Sequence, residues 1–170
     1  MILDKNLLEK NCHKARKKCS ELKTILRPHV KTPKSIEIAK IALGKDIGPI
    51  TVSTLEEAEY FASSGFKDIT YAVCIIPSKL KRLNYIQLKY NCTIRIVIDS
   101  VFVAKEIVDY SKSHHANFEI LLEIDCGEGR SGLNYQDKKI REISKLFNLN
   151  ICTKLLGVLA HAGHSYSTKN

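Results

Sequence analysis

What this sequence lacks removes several functions before any motif is read. No stretch comes near the roughly 18 consecutive apolar residues of a membrane span, and the opening Met1-Ile2-Leu3-Asp4 has no basic region followed by an apolar core. Neither a membrane helix nor an export signal is expected, and the expected setting is cytoplasmic. The six cysteines (Cys12, Cys19, Cys74, Cys92, Cys126 and Cys152) contain no Cys-x-x-Cys pair and no short, regular framework. In a chain without an export signal, free thiols are then the default. Linkers, low-complexity segments and charge-block boundaries are also missing, so the 170 residues are expected to bury one core as a single domain spanning 1–170.

The net charge of +9 invites a nucleic-acid reading. Its densest part runs from Lys10 to Lys23, where His13, Lys14, Arg16, Lys17 and Lys18 cluster. The same segment places Leu7, Leu8, Cys12, Ala15, Cys19 and Leu22 at helical spacing, so the charges read as the solvated face of an amphipathic helix. No recognition motif, zinc finger or aromatic–basic interleaving accompanies them, and no nucleic-acid partner is expected.

Short β-branched runs alternate with longer helical patterns, as in βαβ units with a parallel sheet. Strands are expected near Ile25–Val30, Ile50–Ser53, Asp68–Val73, Thr93–Ile98, Phe118–Ile124 and Leu155–Ala160. Helices are expected near Leu7–Leu22, Ser35–Leu43, Leu55–Ser63, Ser78–Leu88, Val101–Ser113 and Asp137–Phe147. Thr54 with Glu57 three residues on makes a capping box, and Ser100 is placed to cap the helix after Asp99. Gly44 and Gly65 are placed to end their helices in the left-handed conformation. Six strands and six helices do not close an eight-fold barrel, which takes about 250 residues. Two α/β architectures stay open at this point: an open doubly wound sheet, or an incomplete (β/α)8 barrel that stops after its sixth strand.

Three strings could carry chemistry. In Arg27-Pro28-His29-Val30-Lys31-Thr32, strand alternation puts Arg27, His29 and Lys31 on one face. Three such groups are costly to desolvate unless an anion sits among them. Crowding by positive charge also favours a neutral lysine amine, the form that attacks a carbonyl cofactor. A solvated strand end is the plain alternative. In Glu123-Ile124-Asp125-Cys126-Gly127-Glu128-Gly129-Arg130-Ser131-Gly132, a strand enters a glycine loop whose backbone can approach a ligand closely. Glu123 and Asp125 share a face there, and an ion pair of either with Arg130 is the structural alternative. In His161-Ala162-Gly163-His164-Ser165-Tyr166, two histidines three apart hint at a metal, but that spacing suits a helix and no third ligand stands nearby.

The first string, with Lys34-Ser35-Ile36-Glu37-Ile38-Ala39 after it, resembles the first-strand signature of the D-threonine aldolase and D-serine dehydratase family. Asp125, Gly127, Arg130 and Gly132 match that family's Asp-x-Gly-x-x-Arg-x-Gly, and His161 to Tyr166 is similar to the dehydratase version of its third string. This chain has Pro33 where the family usually has histidine, and Leu159 and Ala160 where many members carry a tyrosine. The resemblance selects the barrel: an alanine-racemase-like N-terminal domain of about six βα units with parallel strands, whose C-terminal β domain is absent from this chain. It implies the cofactor pyridoxal 5'-phosphate (PLP), with Lys31 as the catalytic lysine whose amine holds it. His29, Arg130, His161 and Tyr166 join Lys31 on the cofactor side, Arg130 facing the ring oxygen. It implies a lyase acting on a small D-configured β-hydroxy amino acid, by dehydration and deamination or by aldol cleavage. A divalent metal assists the complete family enzyme, with ligands outside this chain, so no metal ligand is expected here. A homodimer fits the open last strand. A catalytically silent fragment, and a racemase or PLP-carrier protein of the same fold, remain the alternatives.

Overall fold

The computed structural model describes residues 2–168. In chain order it forms α1 (Lys5–Glu21), α2 (Ile36–Leu43), β1 (Ile50–Val52), α3 (Leu55–Ser63), β2 (Asp68–Cys74), α4 (Leu80–Tyr90), β3 (Thr93–Ile98), α5 (Val101–His114), β4 (Phe118–Asp125), β5 (Leu133–Asn134), α6 (Lys139–Asn148) and β6 (Thr153–Leu159). The strand order is β1-β2-β3-β4, with β6 and the short β5 also on β4. The α/β alternation with a parallel sheet is as the sequence pattern predicts. β6 pairs with β4 alone among the described strands, so its other edge is open and the sheet does not close. No helix among the described residues is long and apolar enough to cross a membrane. The chain forms two compact units: residues up to Tyr71 with Ile86–Ile94, and Ala72–Tyr85 with the residues from Arg95 onward.

In the first unit β1 pairs in parallel with β2, matching Ile50 to Ile69 and Val52 to Tyr71. Ile50, Val52, Ala58, Phe61, Phe66, Ile69, Ile86 and Ile94 are fully buried there, with Phe61 and Phe66 edge to face at 5.4 Å. The helices are punctuated as their sequences dictate. Ser35 and Thr54 accept the amides of Ile38 and Glu57 at 3.3 and 3.0 Å, and Gly44 ends α2 at φ 67°. The basic face of α1 is mostly exposed, but Arg16 is not simply solvated. Its guanidinium donates to the Ile41 and Ala42 carbonyls at 2.6 and 3.3 Å and so caps the C-terminus of α2.

The expected strand Ile25–Val30 shrinks to a single parallel bridge, His29 to Thr51. Thr51 N–H donates to Pro28 O and Val30 N–H donates to Thr51 O, both at 2.9 Å. Pro28 has no amide hydrogen, so the ladder gains no donor there. Arg27 leaves the face it was expected to share with His29 and Lys31. It makes a bidentate pair with the Asp68 carboxylate at 2.7 and 3.0 Å and also donates to the Ile50 and Asp68 carbonyls.

In the second unit β4 is central. β3 lies on one side (Ile96 to Ile120, Ile98 to Leu122), and β6 runs from Phe118–Thr153 to Glu123–Leu159. Ile120 pairs with Leu155 but Leu121 pairs with Gly157, so Leu156 is an extra residue in the β6 ladder. Ile96, Val97, Ile98, Ala104, Ile107, Ile120 and Ile143 are fully buried in this unit. Ser100 occupies the N-cap position of α5, but contrary to expectation its hydroxyl makes no capping bond.

The Arg27–Asp68 pair is a partly exposed structural tie of the first unit. Arg27→Ala should lower the unfolding free energy by about 1–2 kcal/mol, measured by urea denaturation. It should leave the reactivity of Lys31 toward carbonyl reagents unchanged, as Arg27 does not share its surroundings.

Candidate active site

The His29 bridge seats the first group of residues. Val30 is 1 % exposed and anchors the backbone, and Lys34 N–H then closes a turn onto Val30 O at 2.9 Å. Lys31 stands exposed at the head of that turn rather than within a strand. Its backbone N–H donates to His29 Nδ1 at 3.3 Å, while His29 Nε2 lies 3.3 Å from Ser53 Oγ. An accepting Nδ1 puts the His29 proton on Nε2, where it donates to Ser53. Burial, and then the charge of Lys31, hold the His29 pKa below its ordinary value, which keeps this neutral form.

Glu57 separates the two neighbouring lysines. Its side chain is 8 % exposed, accepts Ser53 N–H at 2.8 Å and pairs with Lys34 at 3.2 Å. Lys31 has no such carboxylate: its amine makes no hydrogen bond or ion pair among the described residues. The capping-box pattern reveals the Thr54 half of Glu57's role, but nothing in the sequence signals that Glu57 would take Lys34.

The second group follows β4 and β6. Asp125 turns back on its own loop, accepting Gly127 N–H at 2.9 Å and Gly129 N–H at 3.1 Å, and these bonds hold its carboxyl below the usual range. Gly132, at φ 94°, lets the loop return, since a Cβ there would come within 2.8 Å of Asp125 N. Buried Glu123 accepts Ser131 Oγ–H at 2.7 Å and the Cys74 thiol at 3.0 Å. Both acids are thus engaged, and the alternative in which one of them pairs with Arg130 is not what the structure shows. Arg130 Nη1 instead lies 3.3 Å from His161 Nε2. His161 Nδ1 meets Glu128 Oε2 at 2.7 Å, and this bond lowers the Glu128 pKa. Cys126 Sγ–H donates to His161 O at 3.2 Å, and exposed Tyr166 presents its edge to the His161 ring at 6.4 Å.

The structure therefore brings His29 to Lys31 in the first unit, and Arg130, His161 and Tyr166 together in the second. Glu128 was not legible as a partner of His161, because an acid inside a glycine loop carries no spacing signal. Cys74, Asp99 and Glu123 also place their donor atoms within 4.8 Å of one another. Burial, followed by the bond to Glu123, pushes the Cys74 thiol well above its ordinary pKa, so that donor is a protonated thiol.

Residues 3–170 match the family described as alanine racemase, N-terminal domain. The chain is 33 % identical to D-threo-3-hydroxyaspartate dehydratase of Delftia sp. strain HT23 over 165 residues, covering 97 % of this chain and 43 % of that protein. The solved structure of that enzyme superposes with a TM-score of 0.88 over 99 % of this chain and 44 % of its own. The chain is 34 % identical to D-serine dehydratase of Dictyostelium discoideum over 182 residues, covering 98 % of this chain and 44 % of that one. An alanine racemase-like protein from Idiomarina loihiensis is 34 % identical with a TM-score of 0.87, covering 96 % of this chain and 42 % of its own. The chain thus spans less than half the length of these relatives.

Two outcomes follow from the second group. Asp125 and Glu128 titrate below their ordinary values when folded, so they contribute order above the usual carboxylate range, roughly pH 4 to 4.5. That order should be lost as pH falls through the lowered values, read as faster hydrogen exchange of the Gly127 and Gly129 amides relative to β4 amides. The thiols should also separate. Under native conditions at pH 8, exposed Cys126 should be alkylated well before Cys74, measured by peptide mass spectrometry after a short iodoacetamide pulse.

Proposed function

The chain belongs to the family of the alanine racemase N-terminal domain, and on that premise we propose that it is the lysine-bearing part of a PLP-dependent lyase acting on D-configured β-hydroxy amino acids. The observation that carries the proposal is the isolated Lys31 amine at the head of its turn, beside a Lys34 already neutralised by Glu57. The names of the relatives support a lyase over a racemase, since they are dehydratases of D-serine and D-threo-3-hydroxyaspartate.

The residues present fit the chemistry of such a group. A carbonyl cofactor needs an accessible amine, and Lys31 supplies one without a competing carboxylate. An anionic ring oxygen needs a cation, and Arg130 Nη1 meets an imidazole rather than a carboxylate among the described residues. By the family resemblance Lys31 would hold the cofactor, and Arg130, with His161 and Tyr166 beside it, is the cation that the resemblance assigns to the ring oxygen. Bound PLP supplies an electron sink for the charge left at Cα when a bond there breaks. The Lys31 amine would take the α-proton of the substrate. Neutral His29 limits the positive charge beside that amine and fixes the turn through the Lys31 N–H. Loss of the β-hydroxyl after that proton transfer, followed by hydrolysis, gives a keto acid and ammonia; in the aldol alternative the β-hydroxyl loses its proton instead, and cleavage of Cα–Cβ gives an aldehyde and, once Cα is protonated, glycine. We assign no described residue to the divalent metal that the family resemblance implies. A cytoplasmic setting suits the six cysteines, all unpaired.

Borohydride reduction of the chain in the presence of PLP, followed by peptide mapping, tests the assignment. Label should concentrate on the Lys31 peptide and disappear in Lys31→Ala, with a keto-acid assay on D-serine and D-threo-3-hydroxyaspartate reporting turnover. Label spread evenly over the surface lysines would remove the central claim.

A further inference from the structure

The loop after β4 and the segment after β6 meet at one carboxylate that the proposed chemistry leaves unused. Glu128 Oε2 lies 2.7 Å from His161 Nδ1 and accepts Gly163 N–H at 3.3 Å, while His161 Nε2 lies 3.3 Å from Arg130 Nη1. A guanidinium only donates, so its approach to Nε2 is attractive only where that nitrogen carries a lone pair. A carboxylate only accepts, so its approach to Nδ1 is attractive only where that nitrogen carries the proton. The two contacts select the same state, a neutral imidazole protonated at Nδ1. The opposite tautomer would oppose lone pair to lone pair and N–H to N–H, and the imidazolium would turn an N–H against Arg130.

The seat of Glu128 is itself built. A Cβ at residue 163 would overlap the Glu128 carboxylate, so a glycine is what lets the acid lie against the backbone and take its N–H. Cys126 adds a second tie between the same two segments through His161 O.

We infer that Glu128 is a positioning residue: it fixes His161 in the Nδ1–H form, and the Nε2 lone pair of His161 then holds and aims the Arg130 guanidinium. Arg130 is thereby oriented by a neutral group, which spends one of its five donors, while the Glu128 carboxylate meets its charge only from the other nitrogen of the ring. A direct carboxylate partner would orient it as well but would neutralise it toward an anion. The consequence for the cofactor rests on the reading of Arg130 given above; the tautomer does not.

Two-bond 1H–15N correlation spectra of the full chain, with 15N-labelled histidine, read the tautomer at neutral pH without cofactor. The wild type and Glu128→Gln, whose amide oxygen still accepts, should show His161 protonated at Nδ1. Glu128→Ala and Gly163→Ala should shift it toward the Nε2–H form or a mixture, with circular dichroism unchanged. The PLP concentration that half-saturates borohydride trapping on Lys31 should rise roughly tenfold in Glu128→Ala, the scale of one charge-assisted hydrogen bond, and stay within about threefold in Glu128→Gln. An Nδ1–H form that survives Glu128→Ala, a wild type found as Nε2–H or imidazolium, or a failure of Glu128→Gln to rescue would each overturn the inference. If wild-type Lys31 is not trapped by PLP at all, the cofactor reading fails, and the tautomer alone decides the role of Glu128.

Discussion

The chemistry available to this chain depends on how its carboxylates are occupied. Glu57 is taken by Lys34 and a backbone amide, Asp125 by its own loop, Glu123 by a hydroxyl and a thiol, and Asp68 by Arg27. The cost of undoing these assignments differs: buried Glu57 and Glu123 would lose their donors without water to replace them, whereas Asp68 and Asp125 stand partly open to solvent. What is left over is positive. Among the described residues, the Lys31 amine makes no ion pair and the Arg130 guanidinium is held by an imidazole. A chain of net charge +9 could expose such groups anywhere; here they stand on short, well-anchored turns.

That anchoring is mostly backbone. Thr51 exchanges two 2.9 Å bonds with the Pro28–Val30 segment, and those two bonds with the burial of Val30 fix where Lys31 leaves the fold. In the other unit, Asp125 draws two glycine amides inward, which sets the curvature that carries Arg130 back toward His161. The backbone thus fixes where each reactive side chain leaves the fold; the Lys31 amine makes no contact of its own among the described residues, while Arg130 is held by the His161 ring.

Much of the fold was legible because periodicity and punctuation agreed. Leu55–Ser63 and Thr93–Ile98 were read to their ends, since a capping box opens one and β-branched residues fill the other. The reading of Ile25–Val30 as a full strand failed because alternation reports faces, not donors, and Pro28 lacks the donor a ladder needs. Ser100 sat where a cap belongs, yet position alone does not orient a hydroxyl. The site divides the same way. Motif strings pointed to Lys31, Arg130 and His161, but the partners that decide their charge and orientation come from elsewhere in the chain. Asp68 lies 41 residues from Arg27, and Glu128 lies 33 from His161, and nothing local in a sequence records such meetings.

The extra residue at Leu156 has a consequence of parity. In a strand each step of one residue exchanges the two faces, so an unmatched residue reverses the phase of everything after it. Leu155 still keeps step with Ile120, but from Gly157 onward β6 runs one count ahead of β4. The chain therefore leaves the sheet at Leu159 in the reversed phase, two residues before His161. Deleting Leu156 would leave Leu155 on Ile120 and Gly157 on Leu121 in an unbroken ladder, with His161 still two residues beyond Leu159. The irregularity thus absorbs one residue of length: the pairing on either side of it fixes where Leu155 and His161 fall, and Leu156 is the residue the ladder does not count.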